Sequence, residues 1–243
     1  MISRLRIKAR TCGEQMIFSH GLGVALTDAA SRRRAMVQNQ LVTRGICDAR
    51  VLAALETVPR ELFVPDLYSS MAYDDCALPI SEGQTISQPF TVAFMAEALQ
   101  LEGPEKVLEV GTGSGYGAAV LGSLAAEVHS VERIRPLVEE ARKRLEHLNY
   151  DNVHVYESDG TLGLAELAPF DAIVVTAGAQ QLPQPYVDQL GDGGRIVIPI
   201  GPTQRCQSIF RYVRRGEELS SENLGQFAFV PLIGEHGWDE STL

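Results

Sequence analysis

Glycines at 111, 113, 115 and 117 alternate through Val107-Leu-Glu-Val-Gly-Thr-Gly-Ser-Gly-Tyr-Gly117, and an apolar run carrying one acid, Glu109, leads into them. A residue without Cβ can turn tightly and let backbone N–H groups approach a ligand closely. The run before the glycines has the composition of a buried strand. Ala118-Ala-Val-Leu-Gly-Ser-Leu-Ala125 has that of a helix. Strand, glycine loop and helix in that order form a nucleotide-type cradle at the edge of a parallel sheet.

Spacing then selects among nucleotides. A dinucleotide fingerprint needs Gly-x-Gly-x-x-Gly with a pyrophosphate on the helix N-terminus. Counting from Gly111, the third glycine falls on Tyr116. Counting from Gly113, it falls on Ala118, which the pattern tolerates, so a nicotinamide dinucleotide is a weak fit. Glu109 weighs against it, because a carboxylate just before the loop is awkward beside a diphosphate and suits a cationic ligand. A ligand with a sulfonium, an amino group and a ribose is S-adenosylmethionine. Glu132 closes the next predicted strand, Ala126-Glu-Val-His-Ser-Val-Glu132, 21 residues after Gly111 (132 − 111). A carboxylate about 20 residues past the glycines is placed to bond ribose hydroxyls. The plainer reading of Glu132 is a solvated strand end or a first-turn charge of the next helix.

Composition narrows the class. The chain has 243 residues, is 45% hydrophobic and carries a net charge of −10. The size suits one α/β domain with a short appendage. The acidic balance (pI near 5.0) argues against a broad nucleic-acid surface, and no apolar run reaches the ~18 residues of a membrane span. Cysteines 12, 47, 76 and 206 are scattered without metal or redox spacing, as expected of thiols in a reducing cytoplasm. The five histidines do not cluster, so no metal site is expected. Residues 1–33 form a basic, then weakly apolar arm, expected to be poorly ordered. The rest, 34–243, is expected to be the α/β domain itself, with Met36 or an earlier site as the functional beginning.

The elements that must position these residues follow from periodicity. Ser31–Thr43 is predicted as a helix ended by Gly45, and Asp48 as the N-cap of a second helix. The stretch from Tyr68 to Ser87 lacks periodicity, and such long irregular segments are often functional. A helix starts near Pro89. Strands are predicted at Lys106–Val110, Glu127–Glu132, Val153–Glu157, Phe170–Thr176 and Gly193–Pro199, with helices at Ile134–Leu148 and Pro183–Leu190 between them. Gln207–Val213 and Gln226–Leu232 are predicted as an antiparallel pair closing the sheet. Alternating strands and helices imply a doubly wound, mostly parallel, Rossmann-like α/β sheet with helices on both faces.

Met36-Val-Gln-Asn-Gln-Leu, Val58-Pro-Arg-Glu-Leu-Phe-Val-Pro65, Gly83-Gln-Thr-Ile-Ser-Gln-Pro89, the glycine loop, Asp171-Ala-Ile-Val-Val and Phe229-Val-Pro-Leu232, in that order, resemble the protein-L-isoaspartate O-methyltransferase family. The resemblance runs from about Arg34 to Leu232. The glycine loop is common to many methyltransferases; the Gln-Thr-Ile-Ser-Gln-Pro segment is far more specific. The resemblance implies a monomeric, cytoplasmic enzyme that repairs damaged proteins and peptides. It would methylate the free carboxylate of isoaspartyl residues with S-adenosylmethionine, and the ester would collapse to a succinimide. It implies Ser87 at the substrate carboxylate as the catalytic residue. It also implies cofactor contacts from Gln84, Thr85, Ile86, Glu109, Gly111, Thr112 and Gly113, with Glu132 at the ribose and Asp159 and Gly160 beside the adenine. Phe229–Leu232 resembles a late strand that pairs with the substrate backbone.

The chemistry is consistent with what the residues offer. A carboxylate is already ionised near neutral pH, its reference pKa being about 3.5–4. No strong general base is needed, and alignment of two reactants is the main task. A serine hydroxyl can orient the carboxylate. Equally, Ser87 before Pro89 could serve as a helix N-cap, and Ser158-Asp-Gly160 could be only a turn signal. A methyltransferase for another acceptor, and a module that binds the cofactor without turnover, stay open alongside.

Overall fold

The computed structural model describes residues 29–203, 206–239 and 241. The arm expected over 1–33 lies outside the described residues as far as 28, and its last five residues belong to the first helix. That helix, α1 (Ala29–Met36), continues through a π turn (Val37–Leu41) and a 3-10 turn (Val42–Arg44). It stops at Gly45, whose φ of +96 is left-handed. Helix α2 (Ala49–Thr57) starts as the sequence predicts: the Asp48 carboxylate accepts from the backbone N–H groups of Arg50 (2.8 Å) and Val51 (3.2 Å).

The irregular stretch after α2 contains two short strands, β1 (Leu78–Pro79) and β2 (Thr85–Ile86), paired antiparallel. This small hairpin leads straight into α3 (Pro89–Leu99). Pro89 occupies its first turn, where a missing N–H costs nothing. The helix is apolar nearly all round because it lies between the sheet and the N-terminal helices.

The main sheet has seven strands in the order β5-β4-β3-β6-β7-β8-β9. Strands β3 (Lys106–Val110), β4 (Glu127–Glu132), β5 (Val153–Glu157), β6 (Phe170–Val175) and β7 (Leu190–Thr203) run parallel to their neighbours in that part of the sheet. Strands β8 (Cys206–Arg215) and β9 (Glu218–Phe227) complete it antiparallel. Helices α4 (Tyr116–Gly122), α5 (Arg135–His147) and α6 (Gln184–Gln189) connect the parallel strands. Alternate residues of one strand serve opposite faces. Val107, Ala172, Val174 and Val197 join a core with α2, α3 and α4. Leu108, Ile173, Val175, Ile196 and Ile198 join a second core with Tyr186 of α6. Burial on both faces explains the near-continuous apolar runs of β3 and β6.

The last strand departs from expectation. An antiparallel pair does close the sheet, but its second member is Glu218–Phe227 and not Gln226–Leu232. Gly216, at φ +58, supplies the turn, and Arg215 pairs with Glu218 across it. Strand β9 is an exposed edge with a polar sequence, so it carries little apolar alternation to detect. Phe229–Leu232 leaves the sheet and forms only an isolated bridge, Gly178 to Pro231, where proline cannot continue a ladder. Helix α4 also starts earlier than predicted, at Tyr116, directly after the left-handed Gly115.

Candidate active site

The carboxyl ends of β3, β4 and β6 open into a cleft of about 1220 Å³, the usual ligand position in an open parallel sheet. One wall is the glycine loop. Gly111, Gly113 and Gly115 have φ of +98, +53 and +88, a region that penalises any side chain. A Cβ at Gly111 would collide with the Thr176 hydroxyl, and one at Gly117 with the Glu109 carboxylate. The Gly111 N–H donates to the Val131 carbonyl (2.8 Å), and Thr176 Oγ1 donates to the Gly111 carbonyl (2.8 Å). From behind, Arg144 of α5 donates to the Ser114 carbonyl (2.6 Å). The loop backbone is thus held by bonds from β4, Thr176 and α5.

Glu109 lies at the floor, 1% exposed. Its carboxyl receives a hydrogen bond from Ser130 Oγ (2.5 Å), and that hydroxyl is 2.5 Å from Thr112 Oγ1. Burial pushes the Glu109 carboxyl up to about 8; the Ser130 hydroxyl opposes the shift and the nearby Glu132 charge adds to it. Among the described residues no cationic side chain offsets it, so a positively charged ligand at the loop would restore its ionised form. Glu132, also buried, accepts from the N–H groups of Gly113 and Ile134, each at 3.0 Å. These bonds fix the carboxylate against the loop at the cleft wall, so it is more than a solvated strand end.

Gly160 lines the cleft, and a Cβ there would approach Val110 Cγ1 to 2.6 Å. Asp159 is tied to the C-terminal segment. Its carboxylate accepts from Thr161 N (2.9 Å), Thr161 Oγ1 (2.7 Å) and Glu235 N (2.8 Å), clamping the C-terminal segment. Burial alone would raise the Asp159 carboxyl, but the Glu235 and Thr161 donors outweigh it and hold it below its ordinary value.

The rest of the lining comes from residues 75–77, the segment 82–88 that includes β2, the start of α3 and residues 226–233. Gln84, Thr85, Ile86 and Ser87 all belong to it. Ser87 is half-buried, and its hydroxyl has no hydrogen-bond partner among the described residues. Gln88 is the N-cap of α3 and makes no side-chain capping bond, so Ser87 is left free for another role. Thr112, Gly113, Glu109 and Glu132 line the same cleft. All the expected site residues except Asp159 therefore share one cleft. Arg44, Asp75, Phe90, Thr176 and Phe227 join them without any sequence signal, since each reaches the cleft only through packing. Trp238, in a polar tail, donates its indole N–H to the Gly178 carbonyl (2.9 Å) and ties the tail beside the site. Among the described residues no group of three or more His, Cys, Asp or Glu is placed to hold a metal ion. No helix among them is long and apolar enough to cross a membrane.

Known proteins are similar to this chain in sequence and fold. Residues 31–237 match the family model for protein-L-isoaspartate(D-aspartate) O-methyltransferase. Protein-L-isoaspartate O-methyltransferase 1 of Geotalea uraniireducens is 56% identical over 86% of this chain and 96% of its own length. The corresponding protein of Dictyoglomus thermophilum is 51% identical over 86% of this chain and 94% of its own. A solved protein-L-isoaspartate O-methyltransferase, 32% identical, superposes with a TM-score of 0.76 over 84% of this chain and 67% of that one. A Plasmodium falciparum protein described as a beta-aspartate methyltransferase, solved in complex with S-adenosyl-L-homocysteine, is 26% identical. Its TM-score is 0.71 over 83% of this chain and 98% of its own. With the glycine loop, both cleft walls and 31–237 accounted for, this chain belongs to the protein-L-isoaspartate(D-aspartate) O-methyltransferase family.

Proposed function

We propose that the cleft binds S-adenosylmethionine against the glycine loop and aligns it with the free carboxylate of an L-isoaspartyl residue held at Ser87. The observation that carries this reading is the pairing, in one cleft, of a buried carboxyl without a cationic partner, Glu109, and a half-buried hydroxyl without any partner, Ser87. The first suits a cationic ligand; the second suits an acceptor that must be oriented.

The residues fit the cofactor in shape as well as charge. Gly111, Thr112 and Gly113, with Gln84, Thr85 and Ile86 opposite, would enclose its amino-acid part. Glu132 would take the ribose hydroxyls, and Gly160 would leave room for the adenine. Asp159 would act at the adenine through the tail segment it clamps. Bound there, S-adenosylmethionine supplies an electrophilic methyl on a sulfonium, to which a carboxylate oxygen bonds as the carbon–sulfur bond breaks and sulfur keeps the electron pair. No proton moves in that step, which accounts for a site without a His–Asp base. The protein contributes alignment and the exclusion of water. The product ester can close on the following main-chain nitrogen with loss of methanol, giving the succinimide from which hydrolysis returns some normal aspartyl.

We place the catalytic domain at 34–243, with residues 1–33 as an appendage, and read the chain as a cytoplasmic monomer acting on damaged proteins and peptides. One chain supplies both walls of the cleft, and this supports the monomer. The net charge of −10 and the acids lining the cleft speak for peptide rather than nucleic-acid acceptors.

Methyl transfer from labelled S-adenosylmethionine to two peptides differing only in one aspartyl linkage tests the reading. Labelling of the iso peptide alone, with base-labile release of methanol, is the expected result. Transfer to neither peptide, despite binding of S-adenosylhomocysteine, would move the function to another acceptor.

A further inference from the structure

An anionic acceptor has to enter a cleft that is itself acidic: Asp75, Glu82, Glu109 and Glu132 all line it. Among the described lining residues the positive side chains are Arg44 and Arg133. Arg133 follows Glu132 on the glycine-loop side. Arg44 lines the same cleft as Ser87, and its position is fixed by three features. It ends the turn after α1, immediately before the left-handed Gly45. Its guanidinium carbon lies 3.5 Å from the centroid of the Phe90 ring. Its Nη1 lies 3.1 Å from both carboxylate oxygens of Asp75.

Asp75 is anchored in turn. Gln88, the residue after Ser87, donates from Nε2 to Asp75 Oδ1 (2.7 Å) and to the Asp75 carbonyl (3.1 Å). Phe90 is backed by Phe227 in a stacked arrangement, with ring centroids 6.4 Å apart. A long side chain 40% exposed gains little stability from one surface ion pair, yet here it is fixed on a ring face and along one edge. Nε and Nη2 have no partner among the described residues. A planar fork with a free edge matches a carboxylate.

We propose that Arg44 is a substrate-binding residue that receives the free carboxylate of the isoaspartyl acceptor through its unpartnered edge and delivers it to Ser87. Asp75 keeps the fork in place and offsets part of its charge. That balance suits the reaction, because a carboxylate gripped by an uncompensated cation would be a poorer nucleophile.

This inference rests on the acceptor assignment above, and its test separates the two. Steady-state methyl transfer to one isoaspartyl peptide is measured for wild type, Arg44→Gln, Arg44→Lys and Asp75→Asn, at low and high salt, with S-adenosylhomocysteine affinity measured in parallel. Arg44→Gln should raise the peptide KM about tenfold, as loss of one charged hydrogen-bonding partner does. It should also flatten the salt dependence of kcat/KM and leave S-adenosylhomocysteine affinity unchanged. Arg44→Lys, with charge but no fork, should fall between. Asp75→Asn keeps Arg44 and should lower both KM and kcat, since the freed cation holds the acceptor more tightly in its ground state. An unchanged peptide KM in Arg44→Gln, or equal loss of cofactor and peptide affinity, overturns the role of Arg44. A KM that does not fall in Asp75→Asn overturns it independently of how Arg44→Gln folds. If wild type itself methylates no isoaspartyl peptide, the acceptor assignment fails first and this one with it.

Discussion

The two walls of the cleft are built on different principles. The proposed cofactor wall stands on the carboxyl ends of β3 and β4. Its ligand-facing groups are backbone atoms and two buried carboxyls, each held by donors from neighbouring segments. The proposed acceptor wall comes from the segment 82–88 that includes β2, the start of α3 and residues 226–233, and it presents half-exposed side chains linked by Asp75 and Gln88. A small, constant ligand can be met by a rigid backbone cradle. An acceptor that varies in sequence needs a wall of adjustable side chains, with specificity confined to the few groups that touch its carboxylate.

The most severe way to break this comparison is to put a side chain into the cradle. Gly111→Val faces both a φ of +98 and a collision with Thr176. S-adenosylhomocysteine affinity in calorimetry should fall about a hundredfold, ~3 kcal/mol, and an affinity within threefold of wild type would mean that the loop is not the cofactor cradle.

On the other wall, Ser87→Ala should lower turnover about fivefold, the ~1 kcal/mol of one hydrogen bond, with S-adenosylhomocysteine binding unchanged. Equal losses in both would place Ser87 on the cofactor side instead.

The buried acid sharpens the comparison through pH. The Glu109 carboxyl sits near 8 in the free protein, so below that value a cationic ligand must displace its proton. Affinity for S-adenosylmethionine should therefore rise with pH and level off above 8, by about fivefold between pH 7 and 8 for one linked group. Isothermal titration across pH 6.5–9 should show this for wild type. The same titration of Glu109→Gln, which cannot ionise, isolates the share due to this carboxyl, and matching slopes would rule it out.

The smallest effect is expected at Asp159, which stands outside the cleft. Asp159→Ala should free the Glu235 amide, seen as faster hydrogen exchange there, at a cost of about 1 kcal/mol of local stability. Cofactor affinity should drop only two- to threefold, as for a loss of ~0.5 kcal/mol. A loss as large as that of Gly111→Val would make Asp159 a direct ligand.

How far the sequence was legible depends on what each region owes to local rules. Strands β3, β4 and β5 coincide with their predicted bounds: β3 and β4 are buried on both faces, and β5, at the sheet edge, turns Val153 and Val155 inward in a period of two. The Asp48 cap was legible because its partners are two and three residues away. The edge strand β9 was not, since a solvated edge carries no apolar alternation, and Phe229–Leu232 borrowed a strand-like composition from its packing beside Gly178. Ser87 could be marked as a candidate, but whether it caps α3 was undecidable until the helix start fell on Gln88.

By itself the sequence determined the glycine loop, its flanking strand and helix, and the acids at 109 and 132, because a backbone cradle is written in consecutive residues whose spacing alone limits what can bind. Only the tertiary structure decided that Glu109 is buried with no cationic partner among the described residues, that Asp159 holds the tail at Glu235, and that Arg44 and Asp75 line the same cleft as Ser87. Solvent exposure and charge partners are set by segments tens of residues apart, and they exist only once the sheet has brought those segments together.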